Sequence, residues 1–285
     1  MAQLLQKLEQ FAVLAFLISS MLGVGLSLTL AAMVAPLRNL RLVLLAIILN
    51  FVLAPALAWG LTVVIPLHRG HAIGLLLLGG SAGAPFLPKV VQVARGDPAL
   101  AAALMGLLTL GTILFLPFAL PLMIPGLRAD PWEVARPLVL LIVLPLLVGM
   151  IVNRSGPSIA GRAAPIFSKL ANTSLALLFV LLIARNASAL FEVIGSGAIF
   201  AALLYFAALF VFGWLLGGPN PATRGVLGLA TTARNFGAAL VPASSSFTDK
   251  KVTIMIIVGA IVCLMISFLA ARWVHLNTRS GSHKS

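Results

Sequence analysis

Nine stretches of this 285-residue chain are apolar almost throughout, at about 11–34, 40–65, 71–95, 98–125, 136–153, 165–186, 196–217, 222–246 and 250–274. Most reach the roughly 20 residues that a helix needs to cross the hydrocarbon of a bilayer. A chain in lipid has to satisfy its backbone polar groups internally, so such stretches fold as helices. Composition agrees: 61% of residues are hydrophobic and 9% charged, with a mean hydropathy of +1.14. The sequence predicts an all-α polytopic membrane protein with about nine transmembrane helices. Lys7 precedes the first stretch as in a signal peptide, but no small-residue cleavage site follows, so we read a retained first span.

Short connections rich in Pro, Gly and Arg join the stretches, among them Pro36-Leu37-Arg38, His68-Arg69-Gly70, Arg95-Gly96-Asp97-Pro98, Pro125-Gly126, Ser155-Gly156-Pro157 and Gly217-Gly218-Pro219-Asn220-Pro221. With nine spans these alternate between two sides. Seven cations fall on one side (Lys7, Arg69, Arg128, Arg136, Arg185, Lys250, Lys251). Ten fall on the other (Arg38, Arg41, Arg95, Arg154, Arg162, Lys169, Arg224, Arg272, Arg279, Lys284). The positive-inside rule then puts the ten-cation side and the C-terminus in the cytoplasm, most simply across a cell's inner (plasma) membrane.

The net charge of +13 reads as topology determinants rather than a nucleic-acid surface, because the basic residues sit between apolar stretches. A single cysteine, Cys263, excludes an internal disulfide framework. His68, His71, His275 and His283 lie at segment ends or in the tail without zinc-like spacing, so no metal and no cofactor is expected. All six acids (Glu9, Asp97, Asp130, Glu133, Glu192, Asp249) also lie at ends or in loops. Membrane depth thus lacks the acid/base pair or nucleophile that an intramembrane enzyme requires.

Two apolar stretches are interrupted. Gly79-Gly-Ser-Ala-Gly-Ala-Pro-Phe-Leu-Pro-Lys89 places Ser81, Pro85, Pro88 and Lys89 inside the third. Ala230-Thr231-Thr232-Ala233-Arg234-Asn235-Phe236-Gly237 interrupts the eighth. Proline removes a donor and clashes with the preceding turn. Broken helices that carry charge in corresponding halves mark a transporter binding site. Each break is followed by a loop acid (Asp97, Asp249) and a long span. The pattern predicts an inverted repeat: a first copy of about 11–125 with its broken helix at 71–95, and a second of about 136–274 broken within 222–246. A tail at 275–285 follows.

Four stretches, in order, resemble the bile acid:sodium symporter family: Gly23-Val24-Gly25-Leu26-Ser27-Leu28-Thr29, Asn50 to Trp59, Gly83-Ala84-Pro85 running to Ala94-Arg95-Gly96-Asp97, and Arg234 to Leu240. The resemblance implies a panel domain and a core domain. In the core, two discontinuous helices cross near two sodium sites, and a small organic anion binds close by. Carried over residue by residue, the family's sodium ligands fall here on Leu87, Pro88, Ala101, Met105, Ala230 and Arg234, where the ligating side chains are absent. Only Asn50 and Asn235 remain as amides. Sodium binding is accordingly doubtful.

Lys89 and Arg234 have no carboxylate partner in reach of the sequence, and an intramembrane charge costs about 2.5–3.5 kcal/mol on insertion scales. The expectation is that both side chains occupy the two cation places, with Arg234 permanently charged and Lys89 a candidate proton carrier. The plainer alternative is that Lys89 snorkels to an interface near Arg95 and Asp97. Asn50 can bind an ion or hydrogen-bond between helices. Asn172, Thr173 and Ser174 can line a pathway or pack, whereas Cys263, Met255 and Met265 read as core, and Ser244-Ser245-Ser246 as the end of a span.

The function read from this is a secondary transporter for a small organic anion, sodium-independent or proton-linked, working by alternating access in a lipid bilayer with no obligate protein partner. The alternatives are sodium coupling with Thr231, Thr232, Asn235 and Asn50 as substitute ligands, or a non-transporting receptor on the same scaffold.

Overall fold

The computed structural model describes residues 2–29, 31, 39–124, 131–185, 193–218 and 220–282. The readings placed on Pro36, Leu37, Arg38, Pro125, Gly126, Arg128, Asp130, Glu192, His283 and Lys284 lie outside the described residues. Among those described, the regular structure is helical. Helix α1 is Ala2–Ser27, α2 Leu40–Val64, α3 Arg69–Gly80, α4 Leu87–Val93 and α5 Pro98–Met123. Then come α6 at 131–155, α7 Pro157–Arg185, α8 Ala198–Leu216, α9 Pro221–Thr232, α10 Phe236–Ser246 and α11 Lys250–Ser282. Seven of these helices (α1, α2, α5, α6, α7, α8 and α11) are long and apolar enough to cross a membrane. The chain is a polytopic membrane protein.

Its outer surface suits lipid. Leu122 is 86% exposed, Val64 78% and Leu114 72%, a display that soluble proteins avoid. Local signals set the helix ends. Asp97 caps α5, its Oδ1 accepting from the N–H groups of Ala99 and Leu100 at 2.8 and 3.2 Å. Pro98 then occupies the first turn, where its missing N–H costs nothing. Arg95 closes α4 at φ 56° while the Gly96 N–H reaches Val91 O, a left-handed C-cap.

Two features were not read from the sequence. Residues Leu49–Leu53 of α2 and Val139–Val143 of α6 form π turns. Each lies just before a proline, Pro55 or Pro145, whose ring would clash with the preceding carbonyl. The wider turn makes room for it. Helix boundaries also shift from expectation. α1 starts at Ala2 rather than near 11, because Ala2 to Gln10 holds no helix breaker. α7 starts at Pro157 rather than 165, since Pro157 opens it as a first-turn proline. α11 runs to Ser282, so much of the expected tail from 275 is helix, again without a proline to stop it.

Packing falls into two groups. α1 lies along α6 and α7, while α11 lies along α3 and α8, and α8 along α9. Gly25 and Gly149 bring α1 and α6 into backbone contact: a Cβ on Gly25 would lie 2.2 Å from Leu146 O. A buried apolar cluster formed by Leu49, Ala82, Leu87, Leu104, Leu108, Leu229 and Ala230 surrounds the breaks. Met255 and Cys263 are buried, but Met265 is half-exposed and belongs to the lipid-facing side.

Candidate functional site

The two interrupted helices meet at their gaps. Ala82, between α3 and α4, forms an isolated antiparallel bridge with Arg234, between α9 and α10. The Asn235 N–H donates to Ser81 O at 2.9 Å, and Asn235 Nδ2 donates to Gly83 O at 3.3 Å. Each gap thus supplies hydrogen bonds that the other lost from its helix, as membrane depth demands. Phe86 and Phe236, which flank the starts of α4 and α10, stack at 5.5 Å.

Helix α5 completes the first gap with two hydroxyls that the sequence reading passed over. Thr112 Oγ1 accepts from the Ala82 N–H at 2.8 Å and donates to Ala82 O at 3.0 Å. Thr109 Oγ1 donates to Gly83 O at 2.9 Å. Their i, i+3 spacing in an otherwise apolar span was the available signal. Gly83 sits at φ 81°, and a Cβ there would lie 2.4 Å from the Thr109 nitrogen. Both facts require glycine.

Arg234 is 0% exposed. Its guanidinium donates to Gly79 O at 3.5 Å, to Thr231 O and to Asn50 Oδ1. Asn50 stands on the π turn of α2 and anchors its own amide by donating from Nδ2 to Ala46 O at 2.9 Å. Three carbonyl-type oxygens from three elements therefore surround one buried cation, with no carboxylate among the described residues in contact. Tyr205 and Cys263 are buried as well. Cys263 also donates from Sγ to Thr232 O at 3.3 Å, so it closes the end of α9 rather than only filling core. Arg234 Nε and the Tyr205 hydroxyl are buried without a hydrogen-bond partner.

The other expected site residues separate into three groups. Ser81, Thr231 and Thr232 turn their hydroxyls back onto Leu77 O, Leu227 O and Gly228 O of their own helices. Asn235 Oδ1 accepts from the Ala238 N–H and caps α10. Leu87, Ala101, Met105 and Ala230 are buried apolar packing. Lys89, with Pro85 and Pro88, stands elsewhere. It is exposed rather than paired with Arg234 at the crossing. The seven-residue α4 turns Leu87, Val90 and Val91 into the core, which leaves Lys89 on the opposite face.

That face lines a cavity of about 230 Å³ between the first break and helices α1, α5 and α7. Lys89 is its one cation among the described lining residues. Ser20, Ser27, Ser168 and Asn172 add polar groups to a wall of Phe16, Val24, Leu28, Phe86, Met105 and Leu175. Asn172 therefore faces the cavity, whereas Ser174 is buried and Thr173 exposed. Among the described residues, no cluster of three His, Cys, Asp or Glu side chains could hold a metal ion.

A family model described as the sodium bile acid symporter family matches residues 14–193. A curated relative, the Arabidopsis thaliana "probable sodium/metabolite cotransporter BASS1, chloroplastic", is 24% identical over 260 residues. The alignment covers 89% of this chain and 64% of the relative, so the chain spans somewhat less than two thirds of that protein's length.

Proposed function

The chain belongs to the sodium bile acid symporter family, a family of transporters rather than enzymes, and from that premise we propose that it carries a small organic anion without sodium. The observation that carries the reading is Arg234, wholly buried at the crossing with its donors on Gly79 O, Thr231 O and Asn50 Oδ1. A sodium ion needs several oxygen ligands, and here three of the oxygens at the crossing already accept from a tethered cation. Of the substitutes on which sodium coupling would depend, Asn235 already spends its side-chain oxygen on the Ala238 N–H, and the Thr231 and Thr232 hydroxyls are turned back to donate to carbonyls of their own helix. Arginine keeps its proton, so the charge is permanent.

Lys89 supplies the anion's partner. A lone ammonium on the wall of a mainly apolar cavity, flanked by Ser20, Ser168 and Asn172, suits a carboxylate with one or two hydroxyl or carbonyl groups. The volume of about 230 Å³ falls below the range of about 300–1,000 Å³ typical for drug-sized ligands. That favours a small metabolite over a steroid. The positive end of α10, beside the first break, adds to the same field.

On this reading the two broken elements complete nine spans and the halves form an inverted repeat. The antiparallel bridge between Ala82 and Arg234 supports it, since a two-fold axis in the membrane plane would run the two gaps in opposite directions. Helices α1, α6 and α7 act as the panel, and the rest as the core that rocks against it around the cavity. The C-terminus faces the cytoplasm by its cations. The test is uptake of radiolabelled pyruvate and pantoate into proteoliposomes, in sodium and in potassium at equal ionic strength. Saturable uptake that is equal in both salts and absent in Lys89→Gln is expected. Uptake that needs sodium would refute the sodium independence, and binding without flux would make the chain a receptor.

A further inference from the structure

A second recess lies away from the crossing, on the outer side of α8 and α11. Its volume is about 560 Å³, and its walls are apolar, among them Ala207, Phe210, Trp214, Ile266, Leu269 and Trp273. From Ala207 to Trp214 it follows two helical turns, about 10 Å, a length suited to a segment of an acyl chain. Its floor is aromatic: Trp214 and Trp273 meet edge-to-face at 5.0 Å, and Phe210 meets Trp273 at 6.0 Å. Leu269 is 60% exposed, so among the described residues the recess is open along that side.

At the Trp214 end stands a fixed cation. The Arg224 guanidinium lies 4.8 Å from the Trp214 ring centroid, and its Nε donates to Trp214 O at 3.0 Å. Stacking plus that hydrogen bond hold the side chain in one place and leave its outer nitrogens for an acceptor. Among the described residues, no carboxylate pairs with it. Arg272 and Asn277 are exposed on α11 within a turn or so of Trp273. Tryptophan and arginine together at a helix end mark the membrane–water boundary, and basic pockets between membrane helices hold anionic head groups.

We propose that this recess is a site for an anionic phospholipid, with an acyl chain against Phe210, Trp214 and Trp273 and the head-group phosphate on Arg224. The occupant is set by the pairing of an apolar trough with a pre-positioned guanidinium. An uncharged lipid uses only the first, and a second protein copy requires an acid that this face does not offer among the described residues. A guanidinium and a phosphate make a bidentate pair, which a zwitterionic head group weakens with its own cation. The site does not depend on the transport reading, because it shares no residue with the crossing or the Lys89 cavity.

The test is the melting temperature of the delipidated protein in detergent, titrated with phosphatidylglycerol or phosphatidylcholine. A lipid that binds only the folded state raises the midpoint in proportion to its saturation. At about ten times the dissociation constant we expect a rise of roughly 3 °C or more with phosphatidylglycerol and at most about 1 °C with phosphatidylcholine. Arg224→Gln should abolish the difference. Ala207→Phe, which fills the trough at an exposed position and leaves Arg224 untouched, should abolish it too, with an unchanged melting temperature before lipid is added. Equal responses to both lipids in the unaltered protein overturn the proposal. So does a preference that survives in Ala207→Phe, or a loss in that variant accompanied by a change from dimer to monomer in light scattering.

Discussion

Replacing Arg234 by glutamine tests the tethered cation most directly. The guanidinium serves three buried acceptors, Gly79 O, Thr231 O and Asn50 Oδ1. A glutamine amide has two N–H donors and a shorter reach, so at least one acceptor loses its partner, at about 1–3 kcal/mol. Against this stands relief of the intramembrane charge, about 2.5–3.5 kcal/mol on insertion scales. The two nearly cancel, and without sodium the variant should melt within several degrees of the parent. Its oxygens, however, become available to a free cation. Sodium at ten times its dissociation constant would then stabilise the variant by about 1.4 kcal/mol, a shift of roughly 3–6 °C for a chain of this size. The assay is the melting temperature in sodium chloride against choline chloride at fixed ionic strength. The parent should show no sodium-specific shift and Arg234→Gln should gain one. A parent that responds to sodium as the variant does would refute the reasoning, because a cation site would then exist that Arg234 does not fill. A variant that ignores sodium would show that the three oxygens do not form such a site.

Other residues give sharper stability outcomes. Gly83→Ala places a Cβ 2.4 Å from the Thr109 nitrogen at φ 81°, and should lower the melting temperature by more than the roughly 2–4 °C that about 1 kcal/mol represents, read by size-exclusion fluorescence after heating. Thr112→Val removes both hydrogen bonds of Ala82 and should cost about 1–3 kcal/mol in thermal or denaturant unfolding. Thr62→Val, by contrast, removes one exposed hydroxyl bond to Trp59 O and should fall within about 0.5 kcal/mol of the parent. Lys89→Gln should leave the melting temperature unchanged within a degree or so, since the side chain is exposed, yet abolish stabilisation by pantoate in the same assay.

The sequence was most informative where chemistry is local. Apolar runs interrupted by Pro85, Pro88 and Gly83 announced a broken membrane helix, because lipid leaves the backbone few alternatives. The ends at Asp97, Ser246 and Pro98 were legible for the same reason: caps and prolines act within a turn. The second break was harder to explain locally, as it holds no proline between Thr231 and Phe236. It is kept open by pairing with Ser81, Ala82 and Gly83, more than 150 residues away. The π turns that set Asn50 facing Arg234, and the hydroxyls of Thr109 and Thr112, were missed. Their meaning lies in what they touch, and periodicity does not report it.

By itself the sequence determined that this chain lives in a bilayer, and that two charges interrupt its apolar runs. Their division of labour was beyond it. Lys89 and Arg234 look alike along the chain, each a cation beside a break in an apolar run. Only the tertiary structure buries one among three carbonyl oxygens and turns the other onto a cavity wall. The reason is geometric: a side chain's electrostatic surroundings are set by the helices packed against it, and those arrive from distant parts of the chain.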